Sequence, residues 1–148
     1  MFFIKKVYQK DYLSCFELDS NTISLWSKDQ WKSEFKKNGA NVFAINLINK
    51  MIGICVCQVV VDEAQINYFS IDENYRREGH GSCLMSFVIK KCETLNVKKL
   101  SLEVSEKNIS AIKFYDSFEF VSVGFRTNYY RDGSNAVLKE KILKKTNF

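Results

Sequence analysis

The stretch Tyr68-Phe69-Ser70-Ile71-Asp72-Glu73-Asn74-Tyr75-Arg76-Arg77-Glu78-Gly79-His80-Gly81-Ser82 decides how this chain is read. An apolar, strand-like run ends at Ile71. A polar, basic turn follows, and two glycines then open an amphipathic run with helical spacing. Strand, basic glycine loop and helix start together make a cradle for a diphosphate. The first amides of a helix have no partner within it, and the helix dipole favours an anion there. Glycine permits positive φ and lets a phosphate approach the main chain.

Outward from this segment, the pattern predicts alternating strands and helices. Residues 2–7 read as a strand, and 10–20 and 28–37 as helices, the second stopped by Asn38-Gly39. Residues 41–48, 51–61 and 64–71 read as three strands joined by turns at Asn49-Lys50 and Asp62-Glu63, an antiparallel meander. A helix over 79–95 carries Leu84, Phe87, Val88, Lys91 and Leu95 on one face. The strand at 98–104 follows a long helical connection, so it is expected parallel to the strand before that helix. Residues 108–118 form a further helix with Ala111, Ile112, Tyr115 and Phe118 on one face. Strands at 119–127 and 136–143 close a hairpin around Asp132-Gly133. The expected fold class is α+β, a mixed, mostly antiparallel sheet with helices on both faces. It forms a single domain over residues 1–148, without repeats or linkers.

Composition narrows the function. A length of 148 residues, 46% hydrophobic and 26% charged, suits one globular core. The net charge of +5 is spread among interspersed acids rather than gathered in a stripe, which argues against nucleic-acid binding. Five cysteines without a CxxC pair, beside one histidine, argue against a metal site. The cysteines Cys15, Cys55, Cys57, Cys83 and Cys92 read as small buried hydrophobes of a reducing compartment. The start Met1-Phe2-Phe3-Ile4-Lys5-Lys6 is too short for a signal peptide, and no apolar run reaches membrane length. A cytoplasmic protein without a membrane partner is expected.

Other phosphate loops fit poorly. GxxxxGK[ST] is absent, and Leu84 stands where a dinucleotide fingerprint needs a third glycine. That fingerprint also follows the first strand of a parallel unit, whereas several strands come first here.

Arg76-Arg77-Glu78-Gly79-His80-Gly81 matches the (Gln/Arg)-x-x-Gly-x-(Gly/Ala) motif, and here the chain resembles the GCN5-related N-acetyltransferases (GNAT). The segments Val59 to Ala64, Leu102-Glu103-Val104, Asn108, Ala111-Ile112, Phe114-Tyr115 and Asn128-Tyr129-Tyr130 are similar to the RimI branch of that family. Members of that branch acetylate the N-terminal alanine of small-subunit ribosomal protein eighteen. The resemblance implies acetyl-coenzyme A as co-substrate, no metal, and a protein or peptide N-terminus as partner. It implies Glu103 as general base, Tyr115 as general acid and Asn108 as a coenzyme contact. It implies Phe69, Ser70 and Ile71 as the cofactor strand, and the phosphate loop from Arg76, Arg77, Glu78, Gly79, His80, Gly81 and Ser82. Trp26, Tyr129 and Tyr130 are placed at the acceptor groove, by the same resemblance for Trp26.

Read alone, these residues keep plainer alternatives. Glu103 suits a surface strand carboxylate or an ion pair, Tyr115 a core phenol, Asn108 a helix cap, and Tyr129-Tyr130 ordinary strand packing. Two departures from the family pattern stand out. Ser24-Leu25-Trp26 replaces Phe-Pro-Trp, and Glu119 replaces the glycine after the tyrosine helix. A left-handed cap costs a non-glycine residue about 1 kcal/mol or more, so that helix is expected to end another way. An acceptor on lysine or a small amine, or a regulatory module that binds coenzyme without turnover, remain the competing readings.

Overall fold

A computed structural model describes residues 1–144; residues 145–148, the end of the expected domain, lie outside the described residues. Seven strands form one sheet: β1 (Phe2–Val7), β2 (Ala40–Leu47), β3 (Lys50–Val60), β4 (Glu63–Ile71), β5 (Lys99–Ser105), β6 (Val121–Arg126) and β7 (Ala136–Ile142). Their order across the sheet is β1-β2-β3-β4-β5-β7-β6. Only the β4–β5 pair is parallel, as the long helical connection requires.

Helices cover both faces. On one, α1 (Tyr12–Ser20) and α2 (Lys28–Glu34) bring Cys15, Leu18 and Trp31 against Val42, Ala44, Ile54, Val56 and Tyr68. On the other, α3 (His80–Thr94) and α4 (Ile109–Ser117) pack Leu84, Met85, Val88, Cys92 and Tyr115 against Cys55, Ile66, Ile71 and Leu102. The buried stripe of α3 differs from the expected one. Met85 and Cys92 join Leu84 and Val88 in the core, while Leu95 caps the helix and is exposed. Four cysteines are buried, but Cys83 lies exposed on α3.

The element ends carry their own chemistry. At α2, Gln30 N donates to Ser27 Oγ and Ser27 N donates to Gln30 Oε1, a reciprocal cap encoded as Ser-x-x-Gln. The hairpin turns sit one residue earlier than the Asn and Asp residues indicate. Leu47 pairs with Lys50 and Val60 with Glu63, leaving Ile48-Asn49 and Val61-Asp62 as the turns. The β-branched residues Ile48 and Val61 themselves take φ of 55° and 57°. Strand pairing on both sides overrides their local preference there.

The sheet is interrupted where function is expected. Val56 pairs with Tyr68 but Cys57 pairs with Ile66, so Asn67 is an extra residue bulged out of β4. The bulge inverts the alternation of the strand. Ala64 and Ile66 face α3 and α4, Tyr68 faces α1 and α2, and Phe69 and Ile71 return to the α3–α4 face. The parallel pairing with β5 runs from Glu63↔Lys99 to Ile66↔Leu102 and stops there. Beyond it the two strands part, and a seam opens between them.

Helix α4 ends in the left-handed manner that the sequence seemed to forbid. Glu119 takes φ 66°, its N–H donates to Asp116 O at 2.9 Å, and Phe120 N donates to Tyr115 O at 3.2 Å. This is the two-bond Schellman closure, and the Tyr115 and Phe120 rings supply its apolar contact with centroids 5.8 Å apart. That contact and the following strand hold Glu119 in place despite its Cβ. Relief of left-handed strain (about 1–2 kcal/mol) exceeds the entropic cost of a glycine (about 0.5–1 kcal/mol). Glu119→Gly is therefore expected to stabilise the protein by about 0.5–1 kcal/mol and raise Tm by about 2 °C. Thermal denaturation of the two proteins checks this, and an unchanged or lower Tm would show that the cap carries no strain.

Candidate active site

Three elements meet at the seam. The first is the second half of β4. Asp72 N donates to Ile52 O at 2.8 Å, so antiparallel alternation turns the main-chain groups of Ile71 and Phe69 away from β3. They face the side from which β5 has departed. Ser70 does not: its main chain is directed to β3, and its Oγ donates to Tyr68 Oη at 2.9 Å on the opposite face. Of the expected cofactor strand, Phe69 and Ile71 reach the seam and Ser70 braces it.

The second element is the loop into α3. Gly79 is the N-cap at φ 84°, with no side-chain hydrogen bond to the helix start. The first helical bond is Cys83 N to Gly79 O at 3.0 Å. The amides of His80, Gly81 and Ser82 thus stand ahead of the helical ladder with no capping side chain. A Cβ on Gly81 would lie 3.5 Å from the Phe114 ring and 3.6 Å from Ile71, which seats the helix start on α4 and the end of β4. Arg76 braces the loop, since its Nε donates to Ile71 O at 2.9 Å. Arg77 takes φ 62° and is exposed. His80 Nε2 lies 3.1 Å from Glu78 Oε2, which accepts its hydrogen, and the His80 ring lies edge-on to Phe2 at 5.2 Å. His80 therefore ties the loop to the first strand.

The third element joins β5, α4 and the β6–β7 loop. Glu103 is the first β5 residue beyond the last β4 pair. Leu102 and Val104 are buried under α3 and α4, so the Glu103 carboxylate projects to the α1–α2 face. Arg126 Nε donates to Glu103 Oε1 at 2.7 Å. Tyr115 comes from the other face, walled by the Phe69, Phe114 and Phe120 rings at 6.5, 5.5 and 5.8 Å. Burial pushes its phenol well above the usual tyrosine range, with smaller contributions from Cys55 and Tyr130. Its neighbour Asp116 is fixed by the buried Lys139 of β7, 2.7 Å away. Burial, then the Glu103 charge, raises Tyr130, so this half-buried phenol senses both Glu103 and Tyr115.

Tyr129 and Tyr130 ride on a braced loop. Asp132 Oδ1 accepts from Ser134 N and Oγ at 2.9 and 2.6 Å, and Asn135 Oδ1 accepts from Asn128 N at 2.9 Å. Asn108 caps α4, its Oδ1 accepting from Ala111 N at 3.2 Å. Trp26 is packed rather than displayed, with its ring 4.8 Å from Trp31 and 5.3 Å from Tyr68. Among the described residues, no group of three or more His, Cys, Asp and Glu side chains could hold a metal ion, and no helix is long and apolar enough to cross a membrane.

Two residues of the site escaped the sequence reading. Asp19, fully buried, accepts from Leu25 N, Trp26 N, Trp31 Nε1 and Tyr68 Oη at 2.9–3.1 Å. It ties the α1–α2 connection to β4 beside Phe69. A lone acid in a helical run gave no sign of this. Arg126 had a signal, its place two residues before Asn128-Tyr129-Tyr130, but it read as a strand residue.

A parted parallel pair, an uncapped glycine-rich helix start and an acid facing a phenol across the seam fit acyl transfer from a thioester. The acetyltransferase (GNAT) family profile matches residues 5–120, and the chain belongs to that family. It is an N-acetyltransferase by fold and family. The [ribosomal protein bS18]-alanine N-acetyltransferase of Escherichia coli K12 is 34% identical over 105 residues, 71% of this chain and 70% of that protein. The enzyme of the same name from Haemophilus influenzae is 31% identical over 133 residues, 88% of each. The crystal structure of the ribosomal-protein-S18-alanine N-acetyltransferase from Escherichia coli superposes with a TM-score of 0.92 at 27% identity, covering 99% of this chain and 97% of that one.

Burial of two phenols makes stability pH-dependent. Tyr68 and Tyr115 are both raised, each chiefly by burial. In the unfolded chain they ionise near ~10, whereas in the fold they stay protonated. Above that pH the unfolded state releases protons the folded state retains, so stability falls as pH rises. The slope approaches about 1.4 kcal/mol per pH unit for each phenol. Denaturant titrations from pH 8 to 11 check this, with Tyr115→Phe expected to lose one share of the slope. A wild-type profile flat above pH 10 would contradict the burial account.

Proposed function

We propose that this protein transfers an acetyl group from acetyl-coenzyme A to the α-amine of a protein N-terminus, with the N-terminal alanine of ribosomal protein bS18 as its acceptor. What carries the reading is the seam, where Glu103 from one face and Tyr115 from the other flank the main chain of Phe69 and Ile71. The names of these two relatives supply the acceptor. On this reading the whole chain, 1–148, acts as one transferase domain in the cytoplasm.

The residues fit the coenzyme. The amides of Gly79, His80, Gly81 and Ser82 would hold its diphosphate, with Arg77 beside them as a counter-charge. Phe69 and Ile71 would take the pantetheine arm by main-chain hydrogen bonds, and the Asn108 amide stands at the opposite helix start. When bound, acetyl-coenzyme A supplies the activated thioester. The acceptor approaches from the α1–α2 face, between Trp26 and the Tyr129-Tyr130 loop. Glu103 takes the proton of its ammonium, directly or through water. An α-amine titrates near ~8 against ~10.4 for lysine, so its deprotonation at neutral pH is easier by roughly 3 kcal/mol. The amine lone pair then bonds the acyl carbon, and the carbon–sulfur bond breaks. Tyr115, kept protonated by burial, would give its proton to the leaving sulfur, and the second proton shed by the new amide nitrogen would restore the phenol through water. A main-chain N–H of the Phe69–Ile71 stretch would polarise the carbonyl.

Labelled acetyl-coenzyme A tests this with two peptides beginning Ala-Arg, one free and one blocked at its N-terminus, each carrying a lysine. Label on the free peptide alone is expected. Label on both would assign lysine transfer, and label on neither, with firm coenzyme binding, would assign a module without turnover. Glu103→Gln is expected to lower turnover about 100-fold or more while leaving coenzyme affinity unchanged. Unaltered turnover would remove Glu103 as the base.

A further inference from the structure

The Glu103 carboxylate already has a cation. Arg126 Nε donates to Glu103 Oε1 at 2.7 Å, and among the described residues this is a single bond rather than a two-pronged clasp. A one-point contact lacks the geometric reinforcement of a bidentate guanidinium–carboxylate pair. The partners also differ in environment. The Glu103 side chain is 18% exposed and the Arg126 side chain 56%. An ion pair with one solvated partner is weak and easily exchanged. Arg126 ends β6, an edge strand of the sheet, and its guanidinium also lies 5.9 Å from the centre of the Tyr129 ring. That ring offers the guanidinium a second resting place. Glu103, by contrast, is fixed in a strand paired through Leu138 of β7, and the loop carrying Tyr129 is braced by Asp132 and Asn135. The solvent-exposed member of the pair is the arginine side chain.

We infer that Arg126 is a positioning residue that fixes the Glu103 carboxylate from the β6–β7 side as a displaceable counter-ion and yields it to the α-ammonium of the incoming acceptor. This rests on the reading of Glu103 as the base. The exchange replaces one cation with another, so the carboxylate is never left without a positive partner as the site closes over the acceptor. A blocked or neutral N-terminus brings no cation and leaves the ion pair standing. The arrangement selects the protonated amine at binding and delivers its proton to the carboxylate that Arg126 has just released. Tyr129 keeps the guanidinium close enough to re-pair when the acetylated, neutral product leaves.

The test separates binding from turnover. The dissociation constant of the free Ala-Arg peptide is measured by calorimetry on enzyme saturated with coenzyme A, and kcat is measured with acetyl-coenzyme A. The proteins are wild type, Arg126→Gln, Arg126→Lys, Glu103→Gln and the Glu103→Gln/Arg126→Gln double variant. Arg126→Gln is expected to tighten peptide binding about two- to fivefold, the strength of an exposed ion pair. It is also expected to lower kcat about tenfold or more, because Glu103 loses its restraint. Arg126→Lys restores the weaker binding and part of the turnover. In the Glu103→Gln background, Arg126→Gln leaves peptide binding unchanged. A weaker peptide complex in Arg126→Gln would overturn the inference by placing the arginine on the acceptor, and so would unchanged binding and turnover. Normal turnover in Glu103→Gln alone would instead remove the base on which the inference rests. Melting curves within about 2 °C of wild type confirm that each variant is folded.

Discussion

One extra residue in β4 governs the active face of this protein. Strands β3 and β4 run antiparallel and β4 and β5 parallel, so continuous pairing on both sides would bury every main-chain group of β4. The bulge at Asn67 and the end of the β5 ladder at Ile66↔Leu102 come at the same level of the sheet. A bulge sharpens the local twist and bends its strand. Past it, β4 follows β3 alone, β5 follows β7, and the seam is the result. The shift in alternation also decides side-chain placement. Were Asn67 paired in regular alternation instead of bulged, Tyr68 would point to the α3–α4 face and Phe69 and Ile71 to the other, reversing the wall and the floor of the cleft.

An opened sheet needs something in place of the lost ladder, and Asp19 provides it on one face. Its buried carboxylate gathers two loop amides, the Trp31 indole and the Tyr68 phenol, and Ser70 and Thr22 complete the set through Tyr68. Tyr68 is the first residue past the bulge, so this network anchors the rephased strand where pairing with β5 has failed. A carboxylate fully satisfied by four donors is stable inside a fold where a single orphaned one would not be. The same network fixes the chain entering α2, so the α1–α2 connection and the rephased half of β4 are set by one buried group. On the other face, the rings of Phe69, Phe114, Tyr115 and Phe120 play the corresponding part by packing.

What the sequence revealed, and what it hid, divides along physical lines. The strand–loop–helix at 68–82, the parallel β5 and the face of α4 were legible because periodicity and the Gly-x-Gly pair are local signals. Glu103 was correctly placed opposite Leu102 and Val104 by simple alternation. The bulge was not legible, since nothing in Ile66-Asn67-Tyr68 distinguishes an extra residue from a regular one. Ser70 entered the cofactor strand through the family resemblance; its main chain is directed to β3, and its hydroxyl bonds Tyr68 on the α1–α2 face. Glu119 was misread for the opposite reason. Its local preference is plain, but the Tyr115–Phe120 contact and the start of β6 outweigh it. Arg126 and Asp19 were missed because their partners lie 23 and up to 49 positions away.

The sheet itself keeps Glu103 and Tyr115 on opposite faces. Here Glu103 projects to the α1–α2 face, in contact with a solvated arginine and a half-exposed pair of tyrosines. Tyr115 rises from the α3–α4 face, sealed by rings that disfavour its ionised form. The two share only the seam, with Tyr130 between them. A solvated carboxylate therefore borders the seam from one side and a shielded phenol from the other. The thickness of one β-sheet separates the two, and the gap in it is open toward both.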